Sequence, residues 1–143
     1  VNCVAMQPNN LSELPAFELD FLRALPTTWD ETRFIDGYPT RYAILARRHG
    51  NDWYVAGING TDKAMTLKLN LPMFAGSTVK YYTDRPAAKT ENAIPEAELR
   101  TLKVDKKGNA KVTLQPMGGM ILVDELLVDE WTSRRVVSRR VDE

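Results

Sequence analysis

A chain of 143 residues with 43% hydrophobic and 27% charged side chains has the length and balance of one globular domain with its own core. Nineteen Lys and Arg offset nineteen Asp and Glu, so no net field draws in a phosphate backbone or an anionic lipid surface, and no apolar run approaches the roughly 18 residues of a membrane-spanning helix. Nucleic acid and membrane are therefore not expected partners, and with a single Cys3 and a single His49 neither an intrachain disulfide nor a four-ligand zinc site can form.

Val1 is not an initiator methionine, and Val1 to Met6 is too short for a signal-peptide core, which predicts a longer reading frame or processing. From Ser12 to Leu25 the apolar residues Leu14, Phe17, Phe21, Leu22 and Leu25 recur at three- and four-residue spacings, the stripe of an amphipathic helix. Ser12 is its expected N-cap, Pro15 sits in the first turn and Pro26 stops it. A helix of this kind cannot bury its apolar face alone, so it is expected to dock on this domain or on a preceding one.

After Pro26 the period changes to 2. Thr28–Ile35, Tyr42–Arg48 and Trp53–Asn59 are β-branched and aromatic runs, the last two joined by a short hairpin loop at His49-Gly50-Asn51-Asp52. Thr66–Leu71 alternates leucine with polar residues and ends at Pro72, which predicts one core face and one wet face. Thr78–Thr83 is a further strand, Ala87–Ala97 a loop or short helical turn, and Leu102–Val104 with Ala110–Leu114 a hairpin about Gly108 in a positive-φ turn. Gly119–Val123 completes about eight strands with turn signals between them, hence a mainly β chain: an antiparallel β-sandwich preceded by an amphipathic helix.

The last segment, 124–143, carries acids first and arginines later, with Glu130 and Arg134 at helical pairing distance, but its apolar residues form no clean stripe. The expectation is a charged tail, extended or disordered. The predicted organisation is thus 1–25 as a trailing helix or linker, 26–123 as the sandwich, and 124–143 as the tail.

Little in the chain points to catalysis. His49 lies at a hairpin tip with nothing to orient its imidazole. Asp30 and Glu31 are adjacent, so on a strand they face opposite ways and cannot flank one glycosidic bond; pairing with Arg33, Arg47 or Arg48 is the plainer role. Trp29, Trp53, Tyr54, Tyr81 and Tyr82 have the flat faces that stack on pyranose rings, although the adjacent pairs Trp53-Tyr54 and Tyr81-Tyr82 must split between core and surface. Asn10-Leu11-Ser12 and Asn59-Gly60-Thr61 match the N-glycosylation pattern, and Asn59-Gly60 also reads as a turn.

The run Pro26-Thr27-Thr28-Trp29-Asp30-Glu31-Thr32-Arg33-Phe34-Ile35-Asp36-Gly37, with Ala46-Arg47-Arg48 and Asp52-Trp53-Tyr54-Val55-Ala56-Gly57-Ile58-Asn59-Gly60 after it, resembles the carboxy-terminal region of glycoside hydrolase family 97. The family comprises bacterial exo-acting α-glycosidases, inverting α-glucosidase-like or retaining α-galactosidase-like, in which a β-domain, a (β/α)₈ catalytic barrel and a small β-sandwich follow one another. The resemblance implies a non-catalytic C-terminal domain that packs on and stabilises the barrel, and a periplasmic or secreted location. It also implies that catalytic carboxylates and calcium ligands belong to the barrel, leaving no catalytic, cofactor or metal residue on this chain. Trp29, Asp30, Glu31, Arg33, Trp53 and Tyr54 are the expected interdomain or sugar contacts. The alternatives are a carbohydrate-binding module, with oligosaccharide as partner, and a free-standing β-sandwich interaction protein.

Overall fold

The computed structural model describes residues 14–86 and 96–141, with side chains to Arg134 in the second segment. Eight strands run in chain order: β1 (Glu31–Tyr38), β2 (Tyr42–His49), β3 (Asp52–Asn59), β4 (Met65–Asn70), β5 (Thr78–Asp84), β6 (Ala97–Lys103), β7 (Asn109–Leu114) and β8 (Gly119–Asp124). A six-stranded sheet has the order β1-β2-β3-β8-β5-β6, and β4 pairs with β7 in a small second sheet, all antiparallel. Helices α1 (Ala16–Ala24) and α2 (Glu125–Val141) flank the strands in sequence. The mainly β, antiparallel sandwich with an N-terminal helix is the fold expected from the alternating runs. Cys3, Asn10, Ser12 and most of the expected 87–97 loop lie outside the described residues.

The two faces of the large sheet bury different things, because side chains alternate along every strand. One face, with Ile44, Ala46, Val55, Val79, Tyr81, Met120 and Leu122, packs on Leu69, Ala110, Val112 and Leu114 of the small sheet to form the main core. Leu69 and Leu71 are the buried end of the leucine alternation. Tyr81 fixes the sheets to each other: its hydroxyl donates to the Thr113 carbonyl and accepts the Thr113 N–H at 3.2 Å.

The opposite face carries Tyr54, Tyr82 and Val123 against the helices, with Phe17 and Phe21 of α1 and Leu127, Val128 and Trp131 of α2. Phe21 stands between Tyr82 and Trp131, with ring centroids 5.5 and 6.3 Å away. The apolar stripe of α1 therefore has a partner within this chain. The expectation of an extended tail does not hold for 125–141, which is helical. The Asp124 carboxylate caps it by accepting the Leu126 N–H at 2.9 Å, Lys80 binds Glu125 at 3.1 Å, and Glu130 pairs with Arg134 one turn on. What the sequence pattern conceals is that, among the described side chains of α2, Leu127, Val128 and Trp131 face the sheet while Leu126 stays 78% exposed.

A second difference concerns 102–114. The tight turn at Asp105–Asn109 forms as expected, with Gly108 at φ 86° and the Asp105 carboxylate accepting N–H groups of Lys107 and Asn109 at 2.8 Å. Yet the strands it joins are not a hairpin: β6 pairs with β5, β7 with β4, and the turn carries the chain from one sheet to the other. The Gly108 carbonyl takes the Leu71 N–H at 2.6 Å, which ties the turn to the end of β4. A Cβ at Gly108 would meet Leu71 backbone atoms at 3.0 Å, so only glycine gives both the positive φ and this approach.

Asn59 is the most connected side chain at the other end of the sandwich. It is 2% exposed; its Nδ2 donates to the carbonyls of Lys63 at 2.8 Å and Gln115 at 3.1 Å, and its Oδ1 accepts the Thr61 N–H at 2.9 Å. Buried and fully engaged, it closes the turn after β3 and does not serve as a glycan acceptor in the folded chain. Replacing Asn59 with Ala strands these buried groups, so a loss of about 2–3 kcal/mol is expected in a urea titration. An unchanged midpoint would mean that water satisfies the loop equally well.

Candidate interaction surface

The sequence-predicted residues gather at the start of β1, but as a structural clamp. Asp30 precedes the strand; its carboxylate accepts the Gly50 N–H at 2.7 Å and lies 3.9 Å from Arg48. Glu31 accepts from Arg33 at 2.5 Å and from Arg48 at 3.4 Å, and the Arg33 hydrogen bond is the main reason its carboxyl titrates below the usual range. Both acids thus pin the β2–β3 hairpin to the entry of β1. His49 belongs to the same clamp, its Nδ1 donating to the Thr28 carbonyl at 2.9 Å. None of these groups presents a carboxylate pair across an open cleft, the arrangement glycosidic hydrolysis requires.

The aromatic residues divide as strand geometry demands. Trp53 packs on the main core with the Arg33 guanidinium 4.7 Å above its ring. Tyr54, on the opposite face, meets Trp29 edge-on at 5.3 Å, and Arg47 lies 5.8 Å from the Trp29 ring. The rings are therefore already stacked within the domain. Among the described residues there is no cluster of three His, Cys, Asp or Glu able to hold a metal ion, and no helix long and apolar enough to cross a membrane.

Burial governs the two tyrosines beneath the helical layer. Removal from water raises the Tyr54 and Tyr82 hydroxyls to about 12, helped by the negative charge of Asp52 and Asp20 respectively. In the unfolded chain both ionise near pH 10. The folded state thus holds its protons longer; its stability is unaffected below about pH 10 and declines as pH rises toward 12. Tyrosinate absorbance should show the Tyr54 and Tyr82 hydroxyls ionising late together with loss of the fold, and Tyr42, raised by burial and by the Asp36 carboxylate, also ionising above its ordinary value; Tyr54→Phe and Tyr82→Phe should each flatten that alkaline decline. A full set of normal titrations in the folded chain would contradict this burial.

Where the helices stop, no other described residue covers this face of the large sheet. β2 and β3 are apolar on both faces, and the second face leaves Leu45, Ala56 and Ile58 beside Phe21, Leu25, Trp29 and Ile121 around a groove of about 340 Å³. Next to it, at the β1–β2 turn, Phe34, Tyr38, Arg41 and Ile58 line a wider depression of about 530 Å³. Phe34, Tyr38 and Ile58 are 69%, 60% and 64% exposed, unusual for side chains of that size. Residue type drew attention to Trp29 and Trp53; the sequence signal for this surface was the alternation Ala43, Leu45 and Ala56, Ile58 on strands whose other face was apolar too.

Comparison with known proteins places these features in a family. The profile described as "Glycosyl-hydrolase 97 C-terminal, oligomerisation" matches residues 28–123, which is both sheets without the helices. A retaining alpha-galactosidase of Bacteroides thetaiotaomicron is 29% identical over 122 residues, 85% of this chain and 18% of that protein. A probable retaining alpha-galactosidase of Streptomyces bingchenggensis is 46% identical over 37 residues, 26% of this chain and 6% of that protein. Among solved structures, a beta-arabinopyranosidase superposes with a TM-score of 0.71 at 45% identity, covering 84% of this chain and 18% of that one. The chain thus spans under a fifth of the length of these proteins. With its eight strands, its two sheets and the profile match across them, the chain belongs to the glycosyl-hydrolase 97 C-terminal, oligomerisation family.

Proposed function

We propose that the chain is the non-catalytic C-terminal accessory domain of a family 97-like exo-acting glycosidase, docking on the catalytic barrel and stabilising it. The seam is α1 with the groove beside Trp29, formed by Phe21, Leu25, Leu45, Tyr54 and Ile121. The observation that carries this reading is that α1, which leads in from the preceding residues, is stacked on Tyr82 while the apolar groove next to it stays open. A partner linked through α1 acts at high effective concentration, so a modest apolar seam suffices. Acid, base and calcium-binding carboxylates then lie in the barrel. The activities of its relatives make a galactoside or an arabinopyranoside the expected substrate class of the parent, and the chain shares the parent's periplasmic or secreted location. A sugar-binding role is less well supported, because Trp53 lies under Arg33 and Trp29 is edge-on to Tyr54.

The test has two parts. The isolated chain should hydrolyse neither substrate class, and the reading frame upstream of Val1 should encode a (β/α)₈ barrel. In that longer protein, Leu25→Asp and Leu45→Asp should lower the thermal midpoint of the barrel by several degrees. A gene with no barrel attached, or a barrel indifferent to both changes, would sink the reading.

A further inference from the structure

Three loops meet at the end of the sandwich where Asn59 lies. The β1–β2 turn runs from Tyr38 to Arg41 and the β7–β8 turn from Gln115 to Gly118, each closed at 3.0 Å, by the Arg41 N–H on the Tyr38 carbonyl and the Gly118 N–H on the Gln115 carbonyl. Both have proline second and a residue at positive φ third, Thr40 at 65° and Met117 at 53°, the place in a type II turn that glycine ordinarily fills. A side chain there strains the backbone. Between them the two turns grip the β3–β4 loop: the Arg41 carbonyl accepts the Gly60 N–H at 2.7 Å, and the Met117 N–H donates to the Thr61 carbonyl at 2.9 Å. The segment they hold contains the one Asn-Gly pair in the sequence, Asn59-Gly60, in which a side-chain amide precedes a backbone nitrogen that no side chain shields.

We propose that Asn59-Gly60 is a self-modification site, latent while the two turns grip the loop and reactive when they release it. In the open loop the Gly60 nitrogen gives its proton to water or hydroxide and attacks Asn59 Cγ. The N–Cγ bond forms, the Cγ–Nδ2 bond breaks, and ammonia leaves with a proton from solvent. Water then opens the five-membered imide at either carbonyl, giving aspartate or, with the backbone rerouted through Cγ, isoaspartate. No electrons are exchanged, and water is the only co-reactant.

The closed loop blocks each step. The Gly60 N–H is bound to Arg41, and the Asn59 carboxamide is fixed at both ends: Nδ2 on the carbonyls of Lys63 and Gln115, Oδ1 under the Thr61 N–H at 2.9 Å and hydroxyl at 2.7 Å. Its carbon cannot turn onto the Gly60 nitrogen. Nor does the product fit back, because a carboxylate at position 59 would set oxygen against the Lys63 and Gln115 carbonyls at a site 2% exposed. Opening is therefore recorded and then fixed. It is also local, since the strain sits in the two turns while Leu114 and Leu122 remain fully buried in the core beneath them. This chemistry is independent of any barrel that precedes the chain.

Incubation of the 143-residue chain at mildly alkaline pH without denaturant, followed by peptide mapping with mass spectrometry, tests this. Asn59 is expected to convert slowly while the Val55 amide stays protected from exchange. Thr40→Gly and Met117→Gly, which relieve the strain, should each slow conversion about 5-fold in the folded chain. In urea both variants should convert at the parent's rate, which shows that they act through the closed loop. Asn59→Asp, which carries the product side chain, should exchange its Gly60, Thr61 and Met117 amides fast while Val55 and Leu122 stay slow. Conversion confined to urea, turn variants that convert as fast as the parent, or an Asn59→Asp loop as protected as the parent's would each overturn the proposal.

Discussion

Ending the chain after Val123 is expected to lower the thermal midpoint by roughly 10–20 °C. The truncation removes Val128, which is 5% exposed, with the partly buried Leu127 and Trp131, and uncovers Tyr54, Tyr82 and Val123. Burying an aliphatic side chain is worth about 1.5–3 kcal/mol, so the three residues together contribute about 3–5 kcal/mol, and each kcal/mol moves the midpoint of a domain this size by about 3–5 °C. The loss propagates to α1, because Phe21 is held between Tyr82 and Trp131. Amide exchange should therefore accelerate across Phe17–Ala24 in the truncated chain while β3 and β8 remain slow. An unchanged midpoint would show that α2 rests on the sheet without stabilising it.

Leu122→Ala is expected to cost about 3–4 kcal/mol. Leu122 is fully buried on β8, which lies between β3 and β5, opposite Val55 on one side and Tyr81 on the other. Its side chain faces the small sheet, and both sheets are crosslinked through Tyr81 and Thr113, so neighbours cannot collapse into the space it vacates. The urea midpoint should fall with the slope unchanged. Ile121→Ala, one residue away on the partly open face, should cost distinctly less, because that side chain is only half-buried before the change. Equal losses at 121 and 122 would mean that the groove face is covered in solution.

Local pattern carried the strands because each strand must match its own pleat. The alternation Leu67, Leu69, Leu71, the two-residue turn at Gly50-Asn51 and the positive φ at Gly108 are all decided by a residue and its immediate neighbours. The helical period of α1 is visible for the same reason, as is the Glu130–Arg134 pair. The clamp at Asp30, Glu31 and Arg48 was legible as cross-strand charge pairing once β1 and β2 were expected to be neighbours.

Long-range choices were not legible. Asp105–Asn109 has the chemistry of a hairpin turn, and nothing local distinguishes a turn within one sheet from one that changes sheets. That was settled by β5 and β8 giving β6 a free edge to pair with, and by Leu71 hydrogen-bonding back to Gly108. The helix at 125–141 was hidden because its first turns meet the sheet through Leu127, Val128 and Trp131, a cluster too short to show as a continuous stripe. What the sequence by itself determined was therefore the set of elements and their faces, since propensity, alternation and turn chemistry act over a few residues. Strand order, the docking of α2 and α1 over Tyr82, and the exposure of Phe34, Tyr38 and Ile58 were decided only by the tertiary structure, because burial is a property of what covers a face and not of the residues that form it.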